Sequence, residues 1–101
     1  MVVVAADRRV DINRLGQSLN LKNPRLATER ELAGLFPDCE VGAMPPFGNL
    51  YGMTTYVADD LSDDDEIAFN AGSHTELIRL AYEDFERLVV PKKLRFARVT
   101  R

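Results

Sequence analysis

Two apolar runs parted by a short polar interruption constrain this chain more than any other feature. Residues 66–70, Glu66-Ile67-Ala68-Phe69-Asn70, read as a strand, Ala71-Gly72-Ser73-His74-Thr75 breaks it, and residues 76–80 resume as a second strand. Glycine tolerates backbone angles that other residues avoid. Gly72 therefore lets the chain reverse tightly and present Ser73 and the only histidine, His74, at the tip. The tip has two readings: a polar hairpin in which Asn70, Ser73 and Thr75 satisfy their own backbone, or a site held up by two strands.

The stretches on either side are scaffold by their patterns. Residues 2–6 are β-branched and apolar, and read as a strand buried on both faces. Asp11 can cap a helix over residues 12–19 with Ile12, Leu15 and Leu19 on one face. After Asn20, Asn23 and Pro24 break the period, residues 25–27 form a short extended link. Thr28-Glu29-Arg30-Glu31 is a capping box that starts a helix carrying Leu32, Leu35 and Phe36, and Pro37 stops it.

Residues 39–52 change character, with three glycines and two prolines and no regular period. Pro45 and Pro46 fix two φ angles and remove two donors, so the remaining amides of this loop point in set directions. A preorganised amide aimed at a developing oxyanion is worth roughly 10² to 10³ in rate, which suits the loop to acyl transfer. The alternative is an irregular connection whose Phe47 and Leu50 plug the edge of a core. The loop lacks the glycine spacing and Lys-Ser/Thr ending of a phosphate loop.

Residues 52–58 alternate like a half-buried strand, and residues 59–66 hold six acids in eight positions. That run lacks the spacing of a calcium loop and reads as a solvated connection, with no metal assigned. Residues 82–89 read as a short amphipathic helix with Tyr82, Phe85, Leu88 and Val89 on one face, ended by Pro91. The tail, residues 92–101, holds five of the chain's 13 basic residues in an alternation suited to an edge strand; contact with a phosphate is the rival role.

Composition narrows the function classes. At 101 residues the chain is a single domain with one core, and its net charge of −3 argues against an extended DNA-binding surface. Cys39 is the only cysteine, so no internal disulfide forms, and a half-buried structural thiol in a reducing cytoplasm is expected. No apolar run approaches the roughly 18 residues of a membrane helix, and no signal-peptide pattern precedes the first charges.

Taken together, residues 26–32 (Leu-Ala-Thr-Glu-Arg-Glu-Leu), the loop Gly42-Ala43-Met44-Pro45-Pro46-Phe47-Gly48, and Asn70-Ala71-Gly72-Ser73-His74-Thr75 with the helix that follows resemble the YbaK / prolyl-tRNA-synthetase-associated editing domains in order and spacing. The resemblance runs from about Val2 to Val89. It implies an α/β domain of the α+β type, a mixed, strongly curved sheet with short flanking helices, whose pocket admits the 3′ end of an aminoacylated tRNA. It also implies hydrolysis of the ester on a mischarged tRNA, without cofactor. Carried over by position, the backbone of Gly42 and Gly48 lines the ester site, with Ala43, Met44, Pro45, Pro46 and Phe47 between them. Asn70, Gly72 and Ser73 shape the opposite wall, and His74 borders the amino-acid pocket and limits its size. As the chain's lone histidine with no evident carboxylate orienter, it fits that role better than the role of a base.

Family members usually carry a further segment before the strand matching residues 2–6, with a lysine thought to hold the terminal nucleotide. Lys22 is the nearest lysine here. Two functions follow as expectations. One is a trans-acting aminoacyl-tRNA deacylase of the cytoplasm. The other is a catalytically silent binding module, a homodimer joined through its N-terminal strand.

Overall fold

In the computed structural model, which describes residues 1–63 and 65–99, the first two helices stand where their caps are written. Asp64 of the acidic run, and Thr100 and Arg101 of the tail, lie outside the described residues. Helix α1 spans Ile12–Leu19, with the Arg14 amide donating to the Asp11 carboxylate at its start. Helix α2 spans Glu29–Leu35 and carries the full capping box: the Glu31 amide donates to Thr28 Oγ1 and the Thr28 amide to Glu31 Oε1. The Arg25 guanidinium forks onto both Glu31 oxygens, at 2.8 and 3.1 Å. The hydrogen bonds from Arg25, joined by those from Thr28, hold the Glu31 carboxyl down at about 2. A carboxyl depressed below its unfolded value of 4.5 contributes stability that is full above pH 4.5 and lost as pH falls towards 2. Acid titration of helical circular dichroism is therefore expected to show a loss in that window that is smaller in Glu31→Gln.

Among the described residues seven short strands connect the helices: β1 Val2–Val3, β2 Arg8–Val10, β3 Tyr56–Ala58, β4 Glu66–Asn70, β5 Leu77–Ala81, β6 Lys92–Leu94 and β7 Ala97–Val99. Helix α3, Tyr82–Val89, follows β5 directly. Parallel and antiparallel pairings are both present, as a mixed sheet requires, but are divided among three sheets. These are a parallel β1-β3-β6 sheet, an antiparallel β2-β7 ribbon and the antiparallel β4-β5 hairpin.

The strand buried on both faces is β3 and not β1. Period-2 geometry turns Val57 and Ala58 to opposite faces of the central strand. Val57 joins Leu61, Tyr82, Phe85 and Val89 in one cluster, and Ala58 joins Leu15 and Phe96 in the other. The expectation for residues 2–6 fails because among the described residues β1 has a neighbour on one side only, which leaves Val2 36% exposed. The strand expected over residues 52–58 shortens to Tyr56–Ala58, because a 3₁₀ turn, Gly48–Tyr51, closes just before it and buried Thr55 turns its hydroxyl back to accept the Gly48 amide. Nor is the tail one edge strand: Phe96 is fully buried and its carbonyl accepts the Asp11 amide, so the chain bends inward between β6 and β7. On α3, Tyr82, Phe85 and Val89 are buried as expected, while Leu88 stays 53% exposed.

Candidate active site

Antiparallel pairing of β4 with β5, from Glu66 opposite Ala81 to Asn70 opposite Leu77, holds the polar tip of residues 71–76 at the end of the hairpin. The polar-hairpin reading of that tip holds. Asn70 Nδ2 donates to the Ser73 carbonyl at 3.2 Å, and the Ser73 and Thr75 hydroxyls share a bond of 3.3 Å, so local polar groups are indeed satisfied. Gly72 supplies the bend at φ 101°.

The same tip is also stitched to the glycine loop. The Glu40 amide donates to the Gly72 carbonyl at 2.8 Å and the Gly72 amide to the Ala43 carbonyl at 2.9 Å. The His74 amide donates to Glu40 Oε2 at 2.9 Å, and His74 Nε2 lies 2.9 Å from the Val41 carbonyl oxygen. A carbonyl can only accept, so the proton in that contact sits on Nε2.

Between the stitches, residues 40–43 form a β-turn closed by the Ala43 amide on the Glu40 carbonyl at 3.0 Å. Gly42 occupies its third position at φ +85°, the mark of a type II turn. The Gly42 amide makes no hydrogen bond among the described residues.

Next to this rim lies a cleft of about 510 Å³, lined on one side by residues 1–6 and on the other by β4, with Met44, Pro46 and Leu61 between. Of the residues expected in the site, Met44, Pro46 and Asn70 line the cleft. Gly42, Gly72, Ser73 and His74 make up the stitched rim beside the cleft without lining it, and Ala43 is buried. Phe47 packs inward, with ring centroids 5.5 Å from Phe69 and 5.8 Å from Phe85, and Pro45 is half-buried. Gly48 stands apart from Gly42. It is buried with its amide given to Thr55 Oγ1, and a Cβ there would run into that oxygen, so it anchors the base of the loop. Lys22 is exposed in the loop after α1 and is not part of the cleft lining. Cys39 is half-buried with its thiol 3.3 Å from the Tyr51 hydroxyl, a bond that raises the Tyr51 pKa.

Sequence reasoning missed Glu40. Its carboxylate lies 3.9 Å from His74 Nε2, so the histidine does have a carboxylate beside it, 34 residues away in the chain and unreadable from local spacing. Among the described residues no cluster of His, Cys, Asp and Glu could hold a metal, and no helix is long and apolar enough to cross a membrane.

Comparison with known proteins adds independent information. Residues 1–88 match the sequence profile of the aminoacyl-tRNA editing domain. The chain is 33% identical over 100 residues to the multifunctional Ser/Thr-tRNA deacylase ProXp-y of Escherichia coli K12, and equally to its counterpart in Escherichia coli O157:H7. The match covers 97% of this chain but only 59% of either relative. Among solved structures, a scaffold protein from computational epitope backbone grafting superimposes with a TM-score of 0.82 at 20% identity, covering 96% of this chain and 63% of that one. The hypothetical protein APE2540 does so with a TM-score of 0.81 at 19% identity, covering 96% and 65%. At such identities these structures establish the fold alone.

Proposed function

The chain belongs to the aminoacyl-tRNA editing domain family, and from that premise we propose that it hydrolyses, in trans, the ester between a wrong amino acid and tRNA. The observation that carries the reading is the Gly42 turn, whose amide is unengaged among the described residues and which bonds to the opposite hairpin hold two residues from the cleft-lining Met44. An aminoacyl ester is already activated, so positioning and an oxyanion donor supply most of what hydrolysis needs. Water oxygen bonds to the ester carbonyl carbon, the bond from that carbon to the ribose oxygen breaks, and the ribose hydroxyl leaves with a proton. The Gly42 amide stabilises the carbonyl oxygen as it gains negative charge. His74 holds the turn and borders the amino-acid side of the cleft, limiting its size; it is not assigned as general base.

The cleft volume falls within the roughly 300–1,000 Å³ of small-ligand sites, enough for the aminoacyl end of the tRNA. The 33% identity to a Ser/Thr-tRNA deacylase supports serine and threonine as the amino acids removed. Mischarged tRNA free in solution places the work in the cytoplasm, with the prolyl system as one source of substrate. Among the described residues β1 pairs on one side only, which supports the other reading, a binding module joined as a homodimer by strand addition that would cover the cleft.

The test is deacylation by this chain of tRNAs mischarged with Ser, Thr, Ala or Cys. Hydrolysis of the seryl or threonyl ester is expected, whereas light scattering at twice the 11.4 kDa chain mass would go with the binding module. A folded sample that hydrolyses none of the four would overturn the deacylase reading and favour the binding module.

A further inference from the structure

We propose that Glu40 is a positioning residue for this site, setting the direction of the Gly42 amide through His74. The inference rests on the deacylase reading and deepens it. Glu40 joins the rim at three atoms. Its amide holds the Gly72 carbonyl, its carbonyl closes the turn onto Ala43, and its carboxylate accepts the His74 amide and lies 3.9 Å from Nε2. The consequence reaches Gly42 by plain geometry. Val41 C=O and Gly42 N–H belong to one planar trans peptide and point in opposite directions. His74 Nε2–H holds that carbonyl oxygen at 2.9 Å, so the Gly42 N–H is aimed away from the imidazole, on the side where no described residue accepts it. The nearest side-chain atom to the Gly42 Cα substituent position is His74 Cε1 at 3.6 Å, so the ring also backs the turn by contact.

A type II turn converts to type I by rotation of this same central peptide. In this turn that rotation would break the His74 bond and swing the Gly42 amide off the cleft rim. Glu40 opposes it by fixing the backbone of His74 from below and attracting its ring from the side. The carboxylate is 56% exposed and the imidazole 59%, so the charge itself is strongly screened and the acceptor geometry carries most of the effect.

Glu40→Gln keeps an oxygen acceptor for the His74 amide, whereas Glu40→Ala removes it. Glu40→Ala is expected to lower kcat by roughly tenfold to a hundredfold with KM within about twofold, a partial loss of one oxyanion donor. Glu40→Gln should recover most of that kcat. In parallel, the Gly42 amide proton and the His74 Nε2–H resonance are followed by NMR, and in Glu40→Ala both should shift and exchange faster with solvent. Wild-type kcat in Glu40→Ala, or equal losses in the Ala and Gln variants, would overturn the proposal, as would unshifted Gly42 and His74 resonances in the Ala variant. If the wild-type chain hydrolyses nothing, the deacylase reading fails and with it the catalytic role of Glu40, while the resonances still decide whether the clasp exists.

Discussion

Replacing Gly42 by alanine is expected to lower deacylation by about 10² to 10³ in kcat while the protein stays folded, since the effect is that of losing an oxyanion donor. Space is not the obstacle: a Cβ at this position would meet His74 Cε1 at 3.6 Å, an ordinary contact. The backbone is. At φ +85° an alanine costs about 1 kcal/mol or more, and the turn relieves the strain by rotating the Val41–Gly42 peptide. That rotation withdraws the amide from the ester carbonyl and the Val41 carbonyl from His74 together. Single-turnover kinetics on the edited aminoacyl-tRNA measures the loss, and thermal unfolding provides the control. Each 1 kcal/mol of such strain shifts Tm by roughly 4–8 °C for a domain of this length. Unchanged kcat in a folded Gly42→Ala would show that this amide does not serve the reaction.

The second large effect is on stability. Phe85 is fully buried in α3 and meets Phe47 in a T-shaped contact at 5.8 Å and Tyr82 at 5.7 Å. Truncation to alanine should cost about 3–5 kcal/mol from lost burial and the cavity left behind. Total stability for a chain of this size is on the order of 5–15 kcal/mol, so the variant is expected to melt at least roughly 15 °C lower or fail to fold. Phe47 lies in the same loop as Gly42 and packs on Phe69 of β4 as well as on Phe85, so the loop loses its anchor when the core does. Chemical denaturation separates the two variants: Phe85→Ala should lose activity in proportion to its unfolded fraction, and Gly42→Ala without unfolding. A Phe85→Ala protein within 1 kcal/mol of wild type would mean that the aromatic cluster repacks around the gap.

Elements governed by short-range physics were legible along the chain. Helices α1, α2 and α3 lie where Asp11, the Thr28–Glu31 box and the spacing of Tyr82, Phe85 and Val89 put them, because caps and helical period act within a few residues. The β4-β5 hairpin follows from Gly72 between two apolar runs, and the loop from Gly42 to Gly48 was visible as a stiff element through its prolines. Its two glycines read alike in sequence and differ in the fold: Gly42 stands on the exposed rim with a free amide, and Gly48 is buried against Thr55. Only the tertiary structure decided that, along with the double burial of β3, the edge position of β1 and the inward bend at Phe96. It alone brought Glu40 to His74 across 34 residues. The physical reason is common to all of these: strand neighbours and carboxylate partners are set by contacts between distant segments, and one residue's own spacing and propensity carry no record of which segment will fold against it.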